Sequence, residues 1–144
     1  MKKILLCVIA VLAVSALQAQ DFDASFSDNT LRLDYTFAGN ANEQYVALGD
    51  MSKTPGWWGR RINLDSTPLE GNGDLTLTDA ETNRVIYKTS FSSLFQEWIT
   101  TPEAETITRS FEFTLLVPMP LKSTVATLVL RDNTGKPSTH TFTI

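Results

Sequence analysis

Thr30-Leu-Arg-Leu-Asp-Tyr-Thr-Phe37 sets Leu31, Leu33, Tyr35 and Phe37 on one side and Arg32, Asp34 and Thr36 on the other. That period of two is the pattern of a half-buried strand, apolar toward a core and polar toward water. Ser110 to Val117 repeats it, with Phe111, Phe113, Leu115 and Val117 on one face, and stops at Pro118-Met-Pro120. Thr139 to Ile144 repeats it once more, His140, Phe142 and Ile144 opposing the threonines. Between these lie further strand signals. Gly39-Asn40 and Asn42 make a turn into a strand over Gln44 to Leu48, and Pro55-Gly56 opens a loop through Trp57-Trp58-Gly59, after which Arg60 to Leu64 is expected to run extended. Glu70-Gly-Asn-Gly-Asp74 is a turn, and Leu75 to Thr78 with Arg84 to Thr89 reads as a hairpin across Asp79 to Asn83. Val125 to Arg131 is almost wholly apolar, as a central strand buried on both faces would be. Seven to nine short strands with turns between them and no long amphipathic helix point to an all-β fold, an antiparallel β-sandwich of immunoglobulin-like topology.

One stretch breaks the strand rhythm: Ser90-Phe-Ser-Ser-Leu-Phe-Gln-Glu-Trp-Ile-Thr-Thr-Pro-Glu-Ala-Glu105. Ser92-Ser93 can cap a helical turn over Leu94 to Trp98, and Thr101-Pro102 followed by Glu103 and Glu105 can start a second. This predicts one short helical crossover near 92–105. Phe95 and Trp98 are expected to pin it to the sheet, with Glu97 accepting hydrogen bonds from its backbone.

The first 19 of the 144 residues read as a signal peptide: Lys2 and Lys3, an apolar run from Ile4 to Ala16, and small residues before a cleavage site after Ala19. The apolar run is shorter than the ~20 residues a bilayer span needs. Cys7 lies inside it and not behind a small residue at its end, which argues against a lipid anchor. A single domain from 20 to 144, periplasmic or secreted, is therefore expected. With Lys2 and Lys3 removed, ten basic residues face 16 acidic ones, a net of −6. Nucleic acid and anionic membrane surfaces are poor partners for such a chain, because phosphate recognition uses clustered Lys and Arg. The sequence holds one cysteine, in the signal, so no disulfide can staple the domain.

Catalytic constellations are sparse. One histidine, His140, in phase with Phe142 and Ile144, cannot supply the three or so protein ligands of a catalytic zinc. A Ser-His-Asp triad would need that same histidine, and no Gly-x-Ser-x-Gly elbow exists. Glu97 and Glu103, flanking Trp98, are the best carboxylate pair for glycoside hydrolysis, although a charge-rich loop brings such residues together without function. Trp57, Trp58 and Trp98 could instead form an aromatic platform for a sugar ring or a protein partner, with Arg60 beside it and one of Trp57 and Trp58 pointing outward. No catalytic residue, metal ligand or cofactor is assigned.

Several strings resemble the N-terminal β-sandwich domain of the secreted bacterial IgA peptidases, the family-64 zinc metallopeptidases of Bacteroides-type bacteria, over Phe22 to about Arg131. They are Phe26-Ser-Asp-Asn-Thr-Leu-Arg-Leu-Asp-Tyr35 with Gly39-Asn40, Trp58-Gly59 leading to Asn63-Leu64, Val85-Ile-Tyr87, and Phe91-Ser-Ser-Leu-Phe-Gln-Glu-Trp98 with Thr100-Thr-Pro-Glu-Ala104. Arg109-Ser-Phe-Glu112 and Pro118-Met-Pro120 complete the set. The resemblance implies an accessory domain that a zinc catalytic domain bearing His-Glu-x-x-His normally follows. No such pattern is present before Ile144, so a chain lacking the catalytic domain is expected and no catalytic residue carries over. It further implies contact with a protein, either a peptidase catalytic domain or a host or cell-surface protein; a carbohydrate-binding module using exposed tryptophans is the alternative. Arg60 stands where the family pattern has a small residue, and Met119 where an aromatic is usual.

Overall fold

The computed structural model describes residues 21–67 and 69–144; the signal peptide read from residues 1–19 lies outside them. Among the described residues seven strands form two antiparallel sheets. β1 (Phe26–Gly39), β2 (Gln44–Pro55) and β5 (Arg109–Pro120) make one, in the order β2-β1-β5. β3 (Gly73–Asp79), β4 (Val85–Phe91), β6 (Thr124–Arg131) and β7 (Pro137–Thr143) make the other, in the order β4-β3-β6-β7. α1 (Phe22–Ser25) precedes β1, and α2 (Leu94–Trp98) with a 3₁₀ turn (Pro102–Glu105) joins β4 to β5. Among the described residues no helix is long and apolar enough to cross a membrane.

The alternation in β1 sets the core. Leu31, Leu33, Tyr35 and Phe37 are buried, and β5 lies beside β1 with Val117 opposite Leu31, Leu115 opposite Leu33, Phe113 opposite Tyr35 and Phe111 opposite Phe37. Leu75 and Leu77 of β3 and Ala126, Leu128 and Leu130 of β6 supply the buried face of the second sheet. Each large side chain so enclosed contributes about 1.5–3 kcal/mol relative to exposure. The Tyr35 hydroxyl is enclosed as well, and burial pushes its pKa up to about 12.

The sandwich expectation holds, and the four-stranded sheet has an immunoglobulin-like order. The three-stranded sheet differs in one respect: an immunoglobulin order puts the second strand in its middle, whereas here β1 is central and β2 is the edge. β6 also departs from the expected strand buried on both faces. Thr124, Ala126, Leu128 and Leu130 are buried while Val125, Thr127, Val129 and Arg131 are half-exposed, because only one side of its sheet is covered. β2 runs on to Pro55, well beyond Leu48, through a register shift opposite Leu33 and Tyr35 of β1. Arg60 to Leu64 is not extended; it bends, with Asn63 at a φ of 51°.

Candidate functional site

The chain passes between the sheets three times, through two long connections and the short β5–β6 link. The first leaves β2 at Gly56, whose φ of 82° suits glycine. Trp57 turns inward, buried, with its ring edge-on to Tyr87 and its indole N–H donating to the Arg60 carbonyl at 3.0 Å. Gly59 is needed there, since an added Cβ would lie 2.1 Å from the Trp57 ring. Trp58 points the other way and is 93% exposed. Of the two adjacent tryptophans, then, one is core and one faces water.

Arg60, the departure from the family pattern, organises this loop. Its guanidinium sits 5.0 Å over the Tyr87 ring and donates to the carbonyls of Asn63 and Ser66 at 2.5 Å, of Leu64 at 3.3 Å, and of Lys88. The planar fork suits this task, offering several donors in fixed directions to the carbonyls gathered around it. The Lys88 N–H in turn donates to the Leu64 carbonyl at 2.7 Å, so the loop covers the free edge of β4 at that point. Nearby, Arg61 pairs with Asp28 at 2.5 Å and lies 4.5 Å over the Phe22 ring. The Trp57 backbone N–H, and then Arg61, hold the Asp28 carboxyl below its usual range.

The second connection, the crossover from β4 to β5, is built from aromatic rings. Phe95 and Ile99 are fully buried, and Ala104 of the 3₁₀ turn is enclosed too. Phe95 lies 5.9 Å from Phe111 and 6.3 Å from Phe37, and Phe113 stacks 5.1 Å from Phe37 and 4.9 Å from Phe91. Trp98 is half-buried against Phe95 and Phe111. Its indole N–H donates to Glu103 at 2.8 Å, and Arg109 donates to the other Glu103 oxygen at 2.6 Å while lying 5.8 Å from the Trp98 ring. Phe95 and Trp98 therefore pin the crossover.

Glu97 does not order the backbone as expected. It is exposed and, among the described residues, its carboxylate makes no hydrogen bond or ion pair. Gln96 does that work, buried at 3% exposure. Its amide donates to the carbonyls of Asn72 and Arg131, and Ser93 caps α2 by accepting from the Gln96 backbone N–H at 3.2 Å. Ser93-x-x-Gln96 is a capping-box spacing, a signal that could have identified Gln96 beforehand. Thr101, the other expected cap, instead donates its hydroxyl to the Trp98 carbonyl.

These placements decide between chemistries. Glu103 is committed to Trp98 and Arg109, so Glu97 and Glu103 are not a free carboxylate pair. A platform of three tryptophans does not form: Trp57 is buried, and it meets β1 at Asp28 while the ring cluster of Trp98 is anchored at Phe37. Those two positions are separated by nine strand residues, or ~30 Å. His140 faces the interior, 3.3 Å from the Ser138 hydroxyl, and burial pushes its pKa down. Among the described residues no group of three or more His, Cys, Asp or Glu side chains could hold a metal ion.

What the arrangement offers is surface. A cavity of about 230 Å³ opens between α2 and the inner face of β5, lined by Phe37, Phe95, Phe111 and Phe113 with Glu97 and Glu112. A more polar depression of about 520 Å³ lies at the same end of the sandwich, between the crossover and the β6–β7 turn. The family described as Peptidase M64 N-terminus matches residues 21–142. No curated protein matches the chain.

Proposed function

This chain belongs to the Peptidase M64 N-terminus family, and from that premise we propose that it is an exported, non-catalytic accessory domain that works by contact with another protein. The match carries the reading, because it covers nearly all of the described sandwich and is to the N-terminal part of these peptidases. The geometry supports it: Glu103, Trp98 and Arg109 are spent on holding the crossover, and an aromatic cavity is left at the surface beside it. The first partner to test is the catalytic region of an M64 peptidase, the second a host or cell-surface protein. Mixing the purified chain with such a catalytic region is expected to give a stoichiometric complex by light scattering and a changed rate of peptide cleavage. Two separate species with an unchanged rate would refute that partner.

A glycan-binding reading retains one observation, the 93% exposure of Trp58, since an exposed indole can stack on a sugar ring. It predicts a shift of tryptophan fluorescence on adding glycans that is lost in Trp58→Ala. A flat response across a glycan panel would remove it.

A further inference from the structure

The lateral opening between the two sheets is closed on the β4 side and open on the β5 side. The edge of β4 is met by Leu64 of the Arg60 loop, whereas β5 hydrogen-bonds only to β1 among the described strands. The aromatic cavity lies against that uncovered strand. Phe111 and Phe113 face into it, fully buried Phe37 and Phe95 form its floor, and Leu94, 70% exposed, forms an apolar lip. Glu97 also lines it, exposed and joined to no cation or hydrogen-bond donor among the described residues, whereas Glu112, between Phe111 and Phe113, directs its side chain to the outer face of the sheet with Thr36 and Thr114. Glu103, in the same crossover, is instead matched to Arg109, while Glu105, exposed and also unpaired among the described residues, lines the separate polar depression.

We propose that this slot is the contact surface, taking an extended segment of the partner protein that lies along the free edge of β5 and inserts one lysine or arginine side chain into the aromatic cavity. The inference rests on the protein-contact reading and names the chemistry of the partner. A strand edge offers unpaired N–H and C=O groups that an extended peptide can satisfy, and alternate side chains of that peptide then point into the sandwich. The cavity is smaller than the ~300 Å³ at which small-molecule sites begin, so it suits one side chain. The long stem of Lys or Arg can pack on the phenylalanine rings while its charge reaches the Glu97 carboxylate at the mouth. An aspartate or glutamate would meet a like charge there, and a purely apolar side chain would leave the Glu97 carboxylate without a partner.

The test is a backbone amide shift titration of the purified chain with acetyl-Ser-Val-Thr-Arg-Thr-Val-Ser-amide and with its citrulline analogue, which keeps the shape and removes the charge. The expected result is shifts at Ser93 to Glu97 and at Phe111 to Thr114, with the citrulline peptide bound at least ~5-fold more weakly. Glu97→Gln should weaken the arginine peptide about threefold, and high salt should do the same, while Glu112→Gln, on the outer face, should leave its affinity unchanged. Equal affinity for the two peptides would make the cavity an apolar-side-chain site and overturn the proposal, as would shifts located elsewhere or none. The two readings fail separately. A partner complex insensitive to Glu97→Gln would keep protein contact and discard the slot, while arginine-peptide binding without a peptidase complex would keep the slot and discard that partner.

Discussion

The two long connections between the sheets do the same topological work by different physics. The Arg60 loop is held by one guanidinium that satisfies four carbonyls over the face of Tyr87. The crossover is held by buried rings, with Gln96 satisfying the backbone groups that those rings enclose. Polar anchoring tolerates water at the loop surface, and the loop closes the edge it lies on. Ring packing excludes water, and it leaves a cavity where rings from three elements do not fill the space between them. The crossover side is therefore both the more costly to damage and the one left with surface to offer.

Phe95→Ala should be the most damaging change, because the side chain is fully buried between Phe37 and Phe111. A loss of about 3–5 kcal/mol is expected from denaturant unfolding; a loss under ~1 kcal/mol would mean that the ring cluster is not what holds the crossover. Gln96→Ala comes next, at about 1–3 kcal/mol, since the Asn72 and Arg131 carbonyls lose an enclosed donor. Glu97→Ala measured beside it should be close to neutral, and a larger effect for Glu97 than for Gln96 would reverse that assignment. Arg60→Lys should cost about 1–2 kcal/mol, because an ammonium cannot reach all four carbonyls or stack on Tyr87 as the planar fork does. Hydrogen exchange in that variant should quicken at Leu64 and Lys88 and stay slow at Ile99, the pattern expected if the two connections are independently held.

The smallest effect is a pH dependence. Burial lowers the folded pKa of His140 from its ordinary 6.5, so the folded state favours the neutral ring. Its contribution to stability is complete above the unfolded pKa and declines as pH falls from there toward the lower folded value. Unfolding midpoints taken from pH 7.5 to 5 should fall modestly in the parent chain and stay flatter in His140→Phe. Asp28, Asp34, Asp79 and Asp132, all with lowered pKa values, act in the same direction but only as pH falls below the carboxylate range. A slope identical in the two chains would contradict the placement of His140.

The sandwich was legible because its strands are covered on one face: burial imposed a period of two on Leu31 to Phe37 and on Phe111 to Val117. The second half of β2 was not legible, since Gly49 to Pro55 is exposed and bound through its backbone, so no side-chain period records it. The central place of β1 was hidden for a related reason, as pairing partners leave no mark in a strand's own pattern. In the crossover, the rings announced themselves by size and composition. Gln96 was overshadowed by charged Glu97, and only the Ser93-x-x-Gln96 spacing distinguishes the residue that turns inward from the one that faces water. Arg60 read as a departure from a family pattern because its role depends on carbonyls from Asn63 to Lys88 that only the folded loop collects.

Hydrogen–deuterium exchange of the chain alone and with an M64 peptidase catalytic region bears most directly on the claim that the crossover side is the contact surface. Slowed exchange over Leu94 to Glu97 and Arg109 to Thr114, with Trp57 to Ser66 unchanged, is the predicted outcome. Protection confined to Trp57 to Ser66 in a complex that does form would contradict it and transfer the contact to the Arg60 loop.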